Sequence, residues 1–325
     1  MNWTGALSAP DHPSSKVLII VGPTAVGKTA IAVEVAKSLN GEIVGLDSRQ
    51  IYRYMEIGTA QPTQEEQMGI PHHLYGIFDP DRTISAGEYA RLVEEKIEDI
   101  FCRHKQPVVC GGSGLYYRAL TRGLFEGSAS NLEIRNKLKE ELERKGAIAL
   151  LNKLKKIDSE YAKIVHPNNH KRLLRALEIY EITGRAPSEH FKKQRAYASK
   201  FSFYTIFLRP SQNWLEERIV ERTHQMLEKG WVDEVKTLLK KGYSPDCHPM
   251  DSLGYRQILD YLEGKLNYTE MVDLINLRTR QYARRQMKWF KKEPIDLTLD
   301  VSEKTSVSSL VKNILDVVPQ QLQVK

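Results

Sequence analysis

The segment from Val17 to Leu39 reads VLIIVGPTAVGKTAIAVEVAKSL and predicts a strand, a turn and a helix in that order. Val17–Val21 is rich in β-branched residues and ends at a glycine, as buried strands do. Ala30–Leu39 has the apolar spacing of a helix. The G-x-x-x-x-G-K-T pattern between them is typical of a loop that binds phosphates, because its backbone N–H groups and the helix N-terminus attract anions.

The residue types in this loop fit that chemistry. Two glycines let the backbone turn tightly, the lysine can reach the outer phosphates, and the final hydroxyl can bind Mg²⁺. The pattern predicts a bound chain of phosphates and leaves open which compound carries it. We expect the whole loop to contribute to binding: Gly22, Pro23, Thr24, Ala25, Val26, Gly27, Lys28 and, as the metal ligand, Thr29.

Composition sets the broad class. The 325 residues are 41% hydrophobic and 27% charged, which is enough for a substantial core and suggests two structural units. Cys102, Cys110 and Cys247 are too few and too scattered for a disulfide framework or a zinc site. Residues 1–15 lack the pattern of a signal peptide, and no run is as long and apolar as a membrane span. We expect a cytoplasmic protein without membrane association.

The net charge of +7 is concentrated in the middle of the chain. Between Thr121 and Phe203 there are 18 Lys and Arg against 10 Asp and Glu, a net charge of +8. Helical spacing marks Leu132–Gly146, Ala147–Asp158 and Asn169–Gly184. Solvated helix faces would explain each helix alone. For the segment as a whole, a helical insertion that binds a polyanion is the favoured interpretation.

Strands alternate with helices on both sides of the insertion. Further strands are predicted at Glu42–Leu46, Pro107–Cys110 and Phe203–Leu208, with a helix at Glu88–Arg103. The predicted fold class is therefore α/β, a parallel phosphate-loop sheet covered by helices over residues 1–120 and 204–325, with a smaller all-helical insertion over residues 121–203. Ligands of such sheets bind at the carboxyl ends of the strands.

Two segments follow strands of this sheet and should converge with the phosphate loop on one cleft: Asp47–Gln50 and Gly111–Tyr116. Asp47 can act as a general base toward an incoming amine or hydroxyl, bind a metal, or cap a turn. Ser113 is either a small residue in a glycine turn or a hydroxyl aimed at the reacting centre. The third strand ends without the acidic residue that motor-type ATPases use to complete a Mg²⁺ site.

Seven ordered blocks resemble those of tRNA dimethylallyltransferases, also called tRNA isopentenyltransferases, and the likeness covers almost the whole chain. The blocks are GPTAVGKT, DSRQIYRYMEIGTAQP, PHHL, GGSGLYYRAL, KRLLRALEIYEITG, LGYRQILDYLEG and TRQYARRQMKWF. The resemblance implies transfer of a dimethylallyl group from dimethylallyl diphosphate to N6 of the adenine 3′-adjacent to the anticodon of tRNA, with Mg²⁺. In that reaction the phosphate loop holds the leaving diphosphate, Asp47 accepts the N6 proton, and Ser113 occupies a position that is usually Thr.

The resemblance also implies that a flipped base and the anticodon stem-loop contact the protein. Arg218 and Arg222 are interpreted as solvated helix charges, with contact to the diphosphate as the alternative, and His72 and His73 as loop or core positions. Trp289 is expected in the core, and the protein is expected to be a monomer. The residues predicted to contact tRNA are Asp47, Ser48, Arg49, Gln50, Arg135, Lys171, Arg172, Leu173, Leu174, Arg175, Asp251, Gly254, Tyr255, Arg256, Arg284, Arg285, Gln286 and Lys291.

Two rival functions share the phosphate loop. A small-metabolite kinase that uses ATP would need the loop and an acid like Asp47, but it would not require a basic helical insertion. An RNA-binding NTPase without transferase activity would explain the basic surface, and it should bind and hydrolyse ATP. Supplying dimethylallyl diphosphate or ATP, with and without unmodified tRNA, discriminates among the three.

Overall fold

The computed structural model describes residues 16–123, 131–194 and 199–318. The chain forms two compact units. The first, here called the sheet unit, comprises Met1–Arg82, Glu95–Gly114 and Lys200–Lys325. The second, the helical unit, comprises Thr83–Glu94 and Leu115–Ser199.

Six strands form one parallel sheet in the order β3-β2-β4-β1-β5-β6. All four predicted strands are confirmed, as β1, β2, β4 and β5. The remaining two escaped prediction because β3 is too short to show a pattern and β6 is a half-exposed edge strand. The strands are β1 (Lys16–Val21), β2 (Gly41–Gly45), β3 (His72–His73), β4 (Gln106–Gly111), β5 (Ser202–Pro210) and β6 (Leu297–Val301).

Fourteen helices are present in the described ranges. The predicted helix at Glu88–Arg103 is confirmed as α4. The fourteen helices are α1 (Lys28–Ser38), α2 (Glu56–Thr59), α3 (Gln64–Gln67), α4 (Ala86–Cys102), α5 (Gly114–Arg122), α6 (Leu132–Ile157), α7 (Ser159–Ala162), α8 (His170–Thr183), α9 (Pro187–Gln194), α10 (Gln212–Glu228), α11 (Trp231–Lys240), α12 (Tyr255–Leu262), α13 (Tyr268–Phe290) and α14 (Val307–Val317). In the part of the chain that these ranges cover, no helix is both long enough and apolar enough to cross a membrane.

The core of the sheet unit explains why its strands are apolar throughout. Strands β1, β2 and β4 are buried along nearly their whole length, as expected for a parallel sheet with helices packed against it. Helices α1 and α14 pack on the sheet through one apolar cluster, in which Ile31, Val35 and Ile314 are almost fully buried. The alternation of strands and helices then brings the carboxyl ends of β2, β4 and β1 side by side.

His72 and His73 form the edge strand β3, which corrects their interpretation as loop or core positions. They pair in register with Ile43 and Val44 of β2. His73 Nε2 lies 2.7 Å from a carboxylate oxygen of the buried Glu42. This contact gives the carboxylate of Glu42, which is buried in β2, a polar partner.

The helical unit has its own apolar core, built from α6, α7 and α8. Gly146 has φ 79° and ψ 164°, which interrupts α6 and confirms the two helices predicted on either side of it. Helix α8 begins after the capping side chain of Asn169 and ends at the left-handed Gly184, also as predicted. The unit starts before the predicted boundary because Tyr116 packs on Tyr89 of α4, with ring centroids 4.5 Å apart.

Candidate active site

The phosphate loop joins β1 to α1 through tight backbone turns. Ala25 and Gly27 adopt left-handed conformations, with φ 65° and 89°. Gly22 is tightly packed, since a Cβ there would lie 3.0 Å from the carbonyl oxygen of Leu208 and 3.1 Å from Val26. The loop therefore has the conformation that its two glycines predict.

Lys28 and Arg222 provide the positive charge beside the loop. Lys28 Nζ donates a hydrogen bond of 2.8 Å to the carbonyl oxygen of Pro23, and burial lowers the pKa of Lys28 to about 8. Arg222 Nη1 reaches Thr24 Oγ1 at 3.4 Å, and burial also lowers the pKa of Arg222, which Asp47 opposes. The interpretation of Arg222 as a solvated charge is therefore wrong. Two desolvated cations next to a phosphate loop can neutralise a diphosphate.

Asp47 and Ser113 follow β2 and β4 and lie together. Asp47 Oδ1 accepts a hydrogen bond from the Arg49 N–H at 2.9 Å, so the capping role considered for Asp47 is present. Ser113 Oγ accepts one from the Ser48 N–H at 3.1 Å. Tyr282 on α13 lies beside them, and burial together with Asp47 raises the pKa of its phenol. The Asp47 cap occupies one carboxylate oxygen and leaves a second for chemistry.

Two adjoining cavities of about 470 and 590 Å³ open in the sheet unit. The larger, the loop cavity, is lined by the phosphate loop from Gly27 to Thr29 and by Cys110 and Gly111. The smaller, the α12 cavity, is lined by Ser48, Asp251 and the start of α12. The predicted convergence of the strand ends on one cleft is thus confirmed. Seven residues line both cavities: Thr24, Ala25, Asp47, Thr59, Arg222, Met226 and Tyr282.

Several residues predicted to contact tRNA line the α12 cavity, namely Ser48, Arg49, Asp251, Arg256 and Arg285. Arg49 Nη1 lies 2.9 Å from His248 Nδ1 and donates to the His248 carbonyl at 3.1 Å. The α12 cavity therefore carries three of the predicted arginines on its wall.

Other predicted tRNA contacts have structural roles in the sheet unit. Gln50 Nε2 donates to the carbonyl oxygens of Thr59 and Ala60 at 3.1 and 2.7 Å. Tyr255 is fully buried and donates to Glu234 at 2.6 Å. Gly254 has φ 87° and faces the Trp231 ring, which a Cβ would approach to 1.9 Å. These side chains or their close packing serve the fold, and contact with tRNA stays a prediction for all three residues.

Helix α13 carries the remaining predicted residues of this unit. Arg284 pairs with Glu216 at 2.8 Å, and Lys291 is exposed beyond the last turn. Gln286 is buried, with 5% of its surface exposed. Trp289 is half-buried and packs against Gly114, and its expected place in the core stays a prediction.

In the helical unit, the predicted RNA-binding cations are largely paired with neighbours. Glu178 is 1% exposed and accepts from Arg135 at 3.1 Å and from Arg175 at 2.9 Å. Arg172 Nε donates to the Tyr161 hydroxyl at 3.0 Å. Leu173 is fully buried in the core and Leu174 packs against it, so we correct the prediction that their side chains contact tRNA. Lys171 lies on the exposed side of α8.

Tyr282 was missed by the sequence analysis, and the pattern that would reveal it is on α13. Thr279, Tyr282 and Gln286 follow each other at spacings of three and four residues, which places them on one face of the helix. Polar residues at positions where an amphipathic helix usually has apolar ones indicate a polar cleft behind it. All three side chains line one or both cavities.

Comparison with known proteins agrees with the resemblance over nearly the whole chain. The model of the IPP transferase family matches residues 50–293. The tRNA dimethylallyltransferase of Thermotoga petrophila is 45% identical over 302 residues, which cover 92% of this chain and 98% of that protein. The corresponding protein of Thermotoga maritima is 44% identical over 302 residues, with the same coverage of both chains.

Solved structures show the same fold. The full-length tRNA isopentenylpyrophosphate transferase of Bacillus halodurans is 36% identical, with a TM-score of 0.71 and coverage of 95% of this chain and 97% of its own. A eukaryotic dimethylallyltransferase, studied in crystallographic snapshots while acting on tRNA, is 31% identical. Its TM-score is 0.77, and the match covers 93% of this chain and 80% of that one.

Proposed function

This chain belongs to the IPP transferase family and is an enzyme of the tRNA dimethylallyltransferase type, and from that premise we propose its specific reaction. It transfers a dimethylallyl group from dimethylallyl diphosphate to N6 of the adenine 3′-adjacent to the anticodon and releases diphosphate. The observation that carries this proposal is the position of Asp47, which lines both the loop cavity and the α12 cavity.

The loop cavity suits the diphosphate. As the allylic C–O bond breaks, negative charge grows on the departing oxygens, and prearranged donors that meet this charge lower the barrier. The loop N–H groups, Lys28 and Arg222 are such donors. Lys28 exchanges its hydrogen bond to the Pro23 carbonyl for one to a phosphate oxygen. Both cations are already desolvated in the free protein, which strengthens their attraction to the bound anion.

Mg²⁺ fits the same cavity. Thr29 lines it and offers a hydroxyl oxygen, the kind of hard ligand that Mg²⁺ prefers. Within the described ranges no group of three or more His, Cys, Asp or Glu could hold a metal, so the diphosphate itself supplies ligands. In this proposal Thr29 holds the ion, and the bound ion supplies charge neutralisation to the leaving group.

The α12 cavity suits the acceptor base. An adenine must leave its stack to reach a buried site, and enzymes that modify bases bind them flipped out. The N6 amine attacks the allylic carbon, a C–N bond forms, and the N6 proton passes to the Asp47 carboxylate. Ser113 and Tyr282, which lie beside Asp47, orient the acceptor. Proton removal and orientation matter because an exocyclic amine is a weak nucleophile.

The helical unit is proposed to bind the anticodon stem-loop. Its segment is the most basic of the chain, and Lys171 and Arg172 lie at the start of α8. Such contacts with phosphates position an RNA without reading its sequence. A monomer in complex with one tRNA is the simplest assembly consistent with this proposal.

The test is a transfer assay with unmodified tRNA transcript and either dimethylallyl diphosphate or ATP, followed by mass spectrometry of the digested nucleosides. We expect dimethylallyl adenosine only with dimethylallyl diphosphate, and only at the position 3′ of the anticodon. An Asp246→Asn variant, altered at an exposed site, serves as the control for Asp47→Asn. A phosphorylated product with ATP, or no modified nucleoside in the presence of tRNA, would overturn the proposal in favour of a kinase or an NTPase.

A further inference from the structure

One face of α13 lies against the glycine turn that follows β4. Gln286 Nε2 donates a hydrogen bond of 2.9 Å to the Gly112 carbonyl. The Trp289 ring lies where a side chain on residue 114 would have to be, 2.5 Å from the position of a Cβ. The Tyr282 phenol lies beside Ser113. Each of the three successive turn residues 112–114 therefore lies against a side chain of this one helix, and these side chains are spaced at four and three residues.

Gln286 also contacts the phosphate loop. Its Oε1 accepts a hydrogen bond of 2.9 Å from the Thr24 N–H. An amide presents one oxygen and one NH₂ group, and here a backbone N–H needs the oxygen while a backbone carbonyl needs the NH₂ group. Only one orientation of the Gln286 amide satisfies both. A Cβ on residue 112 would lie 2.4 Å from Gln286 Nε2, so the glycine at this place makes room for the bridge.

We propose that Gln286 is a positioning residue of the diphosphate site, which fixes the phosphate loop to the β4 turn before any substrate binds. The inference rests on the proposed function, because it assigns the diphosphate to the loop cavity. It replaces the prediction that Gln286 contacts tRNA, since a side chain that is 5% exposed and bonded at both ends has no surface for RNA.

Loss of the Gln286 hydrogen bonds would affect the first residues of the phosphate loop. Thr24 stands at the start of the turn and also receives the Arg222 contact at 3.4 Å. If the Thr24 N–H lost its acceptor, a partly buried donor would be left without its protein partner and the loop would relax to find another one. The loop N–H groups would then have to be ordered by the diphosphate itself, which lowers its affinity. Arg285 of the same helix lines the α12 cavity and not the loop cavity, and its place there would be unaffected.

The experiment compares Gln286→Met with the wild-type protein. Methionine preserves the length and volume of the side chain and removes both hydrogen bonds. We expect the Kd for inorganic diphosphate, measured by calorimetry, to rise about 10-fold. The KM for dimethylallyl diphosphate should rise with it, while the Kd for an anticodon stem-loop changes less than about 2-fold. Gln281→Met is the matched control on the same helix, where the side chain accepts only a long bond of 3.3 Å from Arg278.

Two results would overturn the inference. One is an unchanged Kd for inorganic diphosphate in Gln286→Met, and the other is a loss of stem-loop affinity with diphosphate binding intact.

A second measurement needs no variant: hydrogen exchange at the Thr24 amide of the wild-type protein. We expect protection without any ligand, and exchange at the rate of a free loop amide would contradict the bridge. Calorimetry with inorganic diphosphate does not depend on transfer, so failure of the proposed reaction is recognised separately, by the absence of a modified adenosine.

Discussion

The sheet unit and the helical unit use their positive charges in opposite ways. In the sheet unit, Lys28 and Arg222 are desolvated, and both line a cavity. In the helical unit, Arg135 and Arg175 are bonded to the buried Glu178. A count of charges identifies the helical unit as the basic one, and yet the cations best prepared for an anion belong to the other unit. Desolvated cations that line a cavity suit the binding of an anion, whereas cations bonded to a buried carboxylate stabilise the fold.

The largest effect should come from Asp47, because this account makes it the base of the reaction. Asp47→Asn keeps the shape and the capping contact with the Arg49 N–H, and it removes the proton acceptor. We expect kcat to fall about 10²- to 10⁴-fold, with the Kd for tRNA within about 2-fold of wild type. Single-turnover transfer measures the loss in rate, and equilibrium binding measures the Kd for tRNA. Equal losses in rate and affinity would make Asp47 a binding residue.

The next effect concerns the charge of Lys28. Its pKa of about 8 lies below the ordinary value of 10.5, so in the free protein the ammonium loses its proton as the pH rises through about 8. The affinity for inorganic diphosphate should therefore fall above that pH, while Lys28→Arg keeps its charge and flattens the dependence. Lys28→Met should lower kcat/KM by about 10²- to 10³-fold. A calorimetric pH series that is flat in the wild type would contradict the assignment.

In the helical unit, the sharpest change is Glu178→Ala. It removes the acceptor shared by two guanidinium groups and the Asn131 N–H. We expect the free energy of unfolding of this unit to fall by about 2 kcal/mol, less than for a fully enclosed ion pair because both arginines are partly exposed. Hydrogen exchange of α8 peptides measures the loss. Glu133→Ala, at an exposed i,i+4 pair with Lys137, is the control and should change little.

The same variant also tests whether a loss of stability in the helical unit affects diphosphate binding in the sheet unit. Glu178→Ala should leave the Kd for inorganic diphosphate unchanged, because the loop cavity is lined by residues of the sheet unit alone. A parallel loss of diphosphate affinity would show that the two units do not divide stability and binding in the way described above.

The smallest effect is expected at Lys171. Replacement by Ala should weaken stem-loop binding only a few-fold and reduce the slope of log K against log salt by about 1, as for a single phosphate contact. Transfer from dimethylallyl diphosphate at saturating tRNA should be unchanged. A salt series on both proteins makes the measurement, and identical slopes would remove Lys171 from the RNA surface.

The sequence predicts most of the fold because its signals are local. A β-branched run before a glycine loop, a helix that begins after Asn169 and ends at Gly184, and a glycine that divides α6 all appear where their patterns indicate. The edge strand β3 lacks such a signal, since its two residues pair with β2 only through distant contacts. Strand order places Asp47 and Ser113 beside the loop, which is why those positions were predictable from topology.

Roles that depend on packing were not predictable in the same way. Leu173 and Tyr255 belong to blocks that resemble those of an RNA-binding family, but their side chains are buried. Arg222 and Gln286 look like ordinary polar helix residues until the fold places them on Thr24, far away in sequence. The orientation of a helix in the fold decides which of its polar residues face a cavity. Sequence spacing shows which residues share a helix face, but it does not show where that face points.

The central claim is that Asp47 lies between a diphosphate in the loop cavity and an adenine in the α12 cavity. The most direct measurement is a crystal structure with dimethylallyl thiodiphosphate and an unmodified anticodon stem-loop. We predict phosphate oxygens on the loop N–H groups and Lys28, and the adenine N6 within about 3 Å of an Asp47 carboxylate oxygen. An adenine bound outside the α12 cavity, or Asp47 turned away from N6 to bind the metal, would contradict the account.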